Sequence, residues 1–216
     1  MAEQLLCVAP GASDLVARLA SADGVAAHPH FAHLVVPRAP ARDLGDAIHA
    51  LCAVHSTRPD LIEIVASAAT PCGASHWLEA ALAGFAAERA LLVQLTAAAG
   101  PLPSTPGQAQ TAAALTAERH AMEMLARSER TGVGLGAAAA LVLDWHVLRA
   151  VLAAAANRFG ASLPPTELPD NDATFRALDR SEAAERAIGF GAQQLFAQHR
   201  GLLSLLEARA SARGRD

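Results

Sequence analysis

Four carboxylates stand out for the company they keep. On a helical wheel at about 100° per residue, Glu88 falls in the apolar stripe Ala81, Phe85, Leu92 and Leu95, and Glu118 in the stripe Leu115, Met122 and Leu125. Asp144 falls among Ala137, Leu141, Leu148, Val151 and Ala155, and Glu185 among Leu178, Ile188, Ala192 and Leu195. Ionised acids that share a low-dielectric layer raise one another's pKa, and desolvation adds to the penalty, so something must neutralise them. Bound metal, protonation, arginine partners and water admitted by a splayed bundle are the four ways to do it. As metal ligands, Glu88, Glu118, Asp144 and Glu185 would form an oxygen-rich set suited to iron or manganese, and the chemistry would be oxidation or metal handling. As structural groups they would pair with arginine, and Arg89, Arg119 and Arg149 lie close to them in sequence.

Other reactive side chains make weaker patterns. Cys72 in "TPCGASHW" has His76 four residues on, a spacing in which an imidazole could activate a thiolate, but no third orienting group is marked. His28, His30 and His33 in "HPHFAH" have no second cluster to complete a metal site and read as surface histidines. His199 lies on the core stripe of the last helix, about 21 Å past Glu185 along its axis, which keeps it out of the acidic layer. His120 and His146 point away from the interior of the four long helices. Met122 and Met124 read as packing residues, and Trp77 and Trp145 as core or groove anchors.

The elements that must position these groups are helical. Alanine-rich composition with 4% aromatic residues and no tyrosine favours close-packed helices over a β-sandwich. A helix of about 25 residues starts at Ser75 and stops at Gly100 and Pro101. A second opens at Thr105 and Pro106 and closes near "ERTG", a third runs to "NRFG", and a fourth begins near Asp172 and continues toward Leu206. The "GFG" at 189–191 is a point where the fourth would bend or break. Upstream, "SDLVARLA" reads as a short helix, "HLVV" as a short extended piece and "PRAPAR" as a linker. "RDLGDAIHALCAVHS" reads as a helix capped near Asp43, and "RPDLIEIVASAA" as one begun at Pro59. We therefore expect an all-α single domain over residues 1–216: an accessory N-terminal region (1–70) beside an antiparallel four-helix bundle (75–210). Joined antiparallel by short loops, the helices would bring the four acids to within about 3 Å of one height.

One inward acid from each of four helices resembles the ferritin-like di-iron and di-manganese carboxylate bundles, over residues 75–206. That resemblance implies two metals held by ligands from facing helices. The family's Glu-x-x-His pairs are not present, since Glu118 is followed three on by Ala121 and Glu185 by Ile188. The long crossover between helices two and three is replaced by "RTGVG". The chain is also faintly similar to uncharacterised alphaproteobacterial proteins, which implies no activity.

Charge and hydropathy narrow the partners. All 17 basic residues are arginine and are scattered over a chain of net charge −4, so no footprint for a nucleic-acid backbone exists. The most apolar run, residues 135–156, is interrupted by Asp144, His146 and Arg149 and makes a poor membrane span. Glu3 and the lack of a sustained apolar run argue against a signal peptide. Three cysteines without CxxC spacing suit a reducing compartment. The expectation is a soluble cytoplasmic bacterial protein that pairs as a homodimer through alanine-rich faces. It binds neither nucleic acid nor membrane, and holds either a carboxylate metal or small-ligand site, or structural acids in a non-enzymatic interaction or ligand-binding bundle.

Overall fold

The computed structural model describes residues 12–68, 74–102, 104–170 and 181–213. These residues are all-helical: α1 (Ala12–Asp23), α2 (Pro29–Leu34), α3 (Ala41–His55), α4 (Leu61–Ser67), α5 (Ser75–Ala99), α6 (Gln108–Ala126), α7 (Val133–Phe159) and α8 (Glu182–Arg213), with a 3₁₀ turn at Val25–Ala27. Leu178 and the Cys72–His76 pairing fall on or next to residues outside this set, as do Cys7 and the expected start of the last helix near Asp172.

Local chemistry sets most boundaries. Gly100, Gly107, Gly132 and Gly160 all have positive φ, a conformation that costs other residues strain, and they stand at the ends of α5, α6 and α7. The start of α4 is a capping box: Asp60 Oδ1 accepts from Glu63 N at 2.8 Å, and Glu63 Oε2 accepts from Asp60 N at 2.9 Å. The helix therefore begins after Asp60 rather than at Pro59. His28 caps α2, whose first position is Pro29, so "HLVV" closes a helix at Leu34 and turns at Val35 instead of forming an extended piece.

The order in space differs from the antiparallel bundle expected. Gly132 meets Ala184, Gly136 meets Ile188, and Asp144 meets His199, so residue numbers rise together and α7 and α8 run parallel. The chain between them returns along the molecule, with residues 161–170 crossing α5: the backbone of Glu167 and Leu168 lies directly over Gly84. The "GFG" segment does not break α8. A Cβ on Gly191 would lie 2.0 Å from the Val133 carbonyl oxygen, and one on Gly136 would lie 2.0 Å from that of Ile188. Glycine at both places lets two backbones touch.

Consecutive helices α5 and α6 make at most a marginal contact, and both pack on α3. Far from being accessory, α3 also touches α7 and α8 and is buried over most of its length, from Asp43 to His55. It runs opposite to α7 and α8, with His55 near Trp145 and His199 at one end and Asp46 at Arg209 at the other. The core lies between α3, α5, α7 and α8 and includes Phe85, Leu92, Leu141, Trp145, Leu152, Leu195 and Phe196. Each large side chain sequestered there contributes on the order of 2–3 kcal/mol. Both α5 and α7 are long and apolar enough to cross a membrane, but α7 directs most of its apolar surface into this core.

Where α3 begins, the last turns of α8 are fastened to it. Arg209 holds Asp46 with two parallel hydrogen bonds of 3.0 Å, and Arg213 reaches Asp43 and Asp46 together. His33 adds a 2.9 Å contact to Asp43. Burial works to raise the Asp43 carboxyl pKa, but the hydrogen bonds from His33 and Arg213 outweigh it and hold the group below the usual carboxylate range.

Candidate functional site

The four sequence-selected acids do not share a site. Glu88, on α5, is 2% exposed and its carboxylate is filled by hydrogen bonds. Trp145 Nε1 donates to Oε2 at 3.0 Å, while Thr166 Oγ1 donates to Oε1 at 2.9 Å and Arg149 Nη1 donates to the same oxygen. Arg149 Nη2 also donates to the Pro164 carbonyl, so Glu88 and Arg149 together pin the returning segment onto α5 and α7. This is the arginine-partner solution, with a loop tied in.

Asp144, on α7, is also 2% exposed and is satisfied by different elements. Its Oδ1 accepts from the Val25 backbone N–H at 3.1 Å, an approach for which Gly24 is required: a Cβ there would sit 2.9 Å from that oxygen. Its Oδ2 accepts from His199 Nδ1 at 2.8 Å. The expected distance between His199 and the acids does not hold, because the parallel course of α8 brings His199 rather than Glu185 to the height of Asp144. Glu185 sits near the start of α8, only half-buried.

Glu118 is the exception. It is 9% exposed on α6, and its Oε1 has no hydrogen-bond partner. Burial alone pushes its carboxyl pKa up to about 8, so the group is protonated at neutral pH. Among the described residues no three His, Cys, Asp or Glu side chains converge as metal ligands. The oxygens of Glu88 and Asp144 are already taken by protein donors, and this donor set does not fit iron or manganese.

What the structure does assemble is a pair of histidines. His55, the last residue of α3, is 4% exposed and packs edge-on against His199, with ring centroids 5.2 Å apart. It also meets Trp145 at 5.1 Å and Phe85 at 6.2 Å. The Nε2 atoms of both His55 and His199 are buried without a hydrogen-bond partner. Burial drives the His55 pKa well below the ordinary histidine value, and neighbouring His199 adds to the effect, so His55 is neutral at neutral pH. The 2.8 Å hydrogen bond to Asp144 occupies Nδ1 of His199 and leaves Nε2 as the ring nitrogen without a partner.

Although its Nε2 is closed off from solvent, His55 borders an opening in the surface. It lines a cleft of about 160 Å³ at the turn between α3 and α4, walled by Phe85, Leu141 and the α6 residues Arg119, Met122 and Glu123. The acids of this lining are answered: Asp60 pairs with Arg89, and Glu123 with Arg127. Arg58 in turn is held by Glu63. Arg119 has an uncharged partner, the Thr57 hydroxyl at 3.3 Å. The cleft thus offers a neutral imidazole and an arginine that no carboxylate pairs.

Reading acids first missed His55. Its signal was the spacing Leu44, Ile48, Leu51, His55, a buried helical stripe that runs directly into the histidine. Of the other histidines, His120 is exposed, His146 is half-buried with its Nε2 unpartnered, and His28 contacts Ser204 at 3.1 Å. Trp77 and Trp145 are both buried core residues, and Met122 is buried whereas Met124 is exposed.

No curated protein and no solved structure matches the chain. A sequence family does: residues 20–214 of the 216 match a family of unknown function, DUF6975, and the chain belongs to that family.

Proposed function

We propose that this is a binding protein for a small polar molecule with an anionic end, held in the cleft over His55, and that its buried acids serve the fold. The observation that carries the reading is His55: a buried imidazole nitrogen without a partner, on a residue that lines an open cleft. Orphaned buried polar atoms are uncommon in folded proteins, and a ligand is one way to satisfy them. Arg119 at the rim would meet the anionic end. The volume equals that of about five water molecules at roughly 30 Å³ each, which sets the size of the ligand at a few heavy atoms.

The test is a titration of the ¹⁵N-histidine-labelled protein with small carboxylates, amides and alcohols, following the imidazole resonances. A saturable shift of His55, weakened in Arg119→Ala, is expected for the carboxylates. If no compound in the panel moves His55, the reading is abandoned.

A second copy of the chain is the partner we propose, and the bacterial cytoplasm the compartment. The dimer is supported by the outer face of α5, where Ala83, Ala86, Ala87, Ala90, Val93 and Ala97 are all exposed and uncharged. Such a face lets two helices approach closely. Light scattering at micromolar concentration is expected to give twice the monomer mass, and a monomer would remove the dimer from the proposal.

A further inference from the structure

A second concavity lies about 16 Å from His55 along α3, at the end marked by Leu44. The α2–α3 connection and the last turns of α7 enclose a groove of about 750 Å³, within the range of sites that bury small molecules. Its floor is apolar, built from Val35, Leu44, Ala153 and Ala154, and Val36 stands 44% exposed at its edge. The charged members of the lining are Arg38 and Arg158, both exposed, and no acid is among the described residues that form it. Neither guanidinium has a hydrogen bond or an ion pair among the described residues. By contrast, Arg89, Arg149, Arg209 and Arg213 are each held by carboxylates.

We infer that this groove binds the free carboxylate form of a medium-chain fatty acid, with the alkyl chain along the alanine and valine floor and the carboxylate between Arg38 and Arg158. Two features act together. An apolar trough alone would accept any hydrophobic chain, and two arginines alone would accept any anion. A trough edged by two unpaired arginines and free of carboxylates selects a molecule that is apolar along its length and negative at its head. The site is separate from the His55 cleft, and each can fail without the other.

Decanoate, titrated below its micellar concentration into the full-length protein and followed by calorimetry, tests the inference. A one-to-one saturable isotherm is expected. Affinity should fall about tenfold or more in the double variant Arg38→Gln/Arg158→Gln, and about as much when decanol replaces decanoate. Because neither arginine is bonded to the rest of the fold, the double variant should keep the wild-type melting temperature. Ala154→Phe, which fills the trough, should abolish binding while leaving the His55 resonances in place. The inference is overturned by absence of saturation, by equal affinity for decanol and decanoate, or by an unchanged isotherm in the double variant. It is also overturned if an acidic peptide saturates the groove while decanoate does not.

Discussion

Helices α6 and α7 are both long and alanine-rich, and each carries an acid on its inward stripe, yet they belong to the fold in opposite ways. Buried side chains run along α7 from Val133 to Ala156, whereas α6 buries only Glu118, Met122 and Ala126. Asp144 of α7 is satisfied by a backbone N–H and by His199, while Glu118 of α6 has an orphaned oxygen and holds its proton. An inward acid is therefore not one kind of residue. Where other elements supply donors it is a hydrogen-bonded joint between helices, and where none do it is a neutral side chain that burial tolerates only while protonated.

The contrast can be broken most severely at Asp144. Asp144→Ala leaves the Val25 N–H and the His199 Nδ1–H buried without an acceptor, and we expect a loss of about 3–4 kcal/mol by urea denaturation. Gly136→Ala should follow, at roughly 2–3 kcal/mol, because the added methyl forces α7 and α8 apart at their closest approach.

At Glu118 the sign is reversed. A carboxyl whose folded pKa is raised from 4.5 to about 8 stabilises the fold fully below pH 4.5. That contribution is lost as pH rises toward 8, at no more than about 1.4 kcal/mol per pH unit, since the unfolded chain releases the proton first. Glu118→Gln removes the dependence and should be more stable than wild type at pH 8 by about 2 kcal/mol. The gap should close near pH 5, and parallel curves for the two proteins would mean that Glu118 is solvated. The smallest effect belongs to the outer face of α6, where Ala113→Lys should change stability by less than about 0.5 kcal/mol.

Much of the fold is legible in the sequence, and the departures from it have a common cause. The span of α5 and the ends of α7 follow from apolar period and glycine stops, while α6 is shorter at both ends than expected, running from Gln108 to Ala126, and Glu88, Glu118 and Asp144 are buried as their stripes require. What could not be read was direction. Short loops force antiparallel neighbours, and the expected bundle extends that rule to the connection after Phe159, which runs on to Glu182. Its 22 residues can extend to roughly 70 Å, ample to run back along the roughly 40 Å of α7 and start α8 parallel to it. That single reversal moved Glu185 out of the layer and His199 into it. The central place of α3 was hidden for a related reason: periodicity shows which face is buried but not how many neighbours bury it.

The arginine fastening at the end of α8 bears on how the protein is made. Synthesis at about 5–20 residues per second delivers Asp43 and Asp46 to the tunnel exit several seconds to a few tens of seconds before Arg209 and Arg213 are translated. Throughout that interval, α3 carries two carboxylates whose burial is unaffordable without their counter-ions. The central helix of the finished molecule must therefore wait, solvated, for the last turns of the chain, and ribosome-bound intermediates should leave it open to a chaperone or a protease.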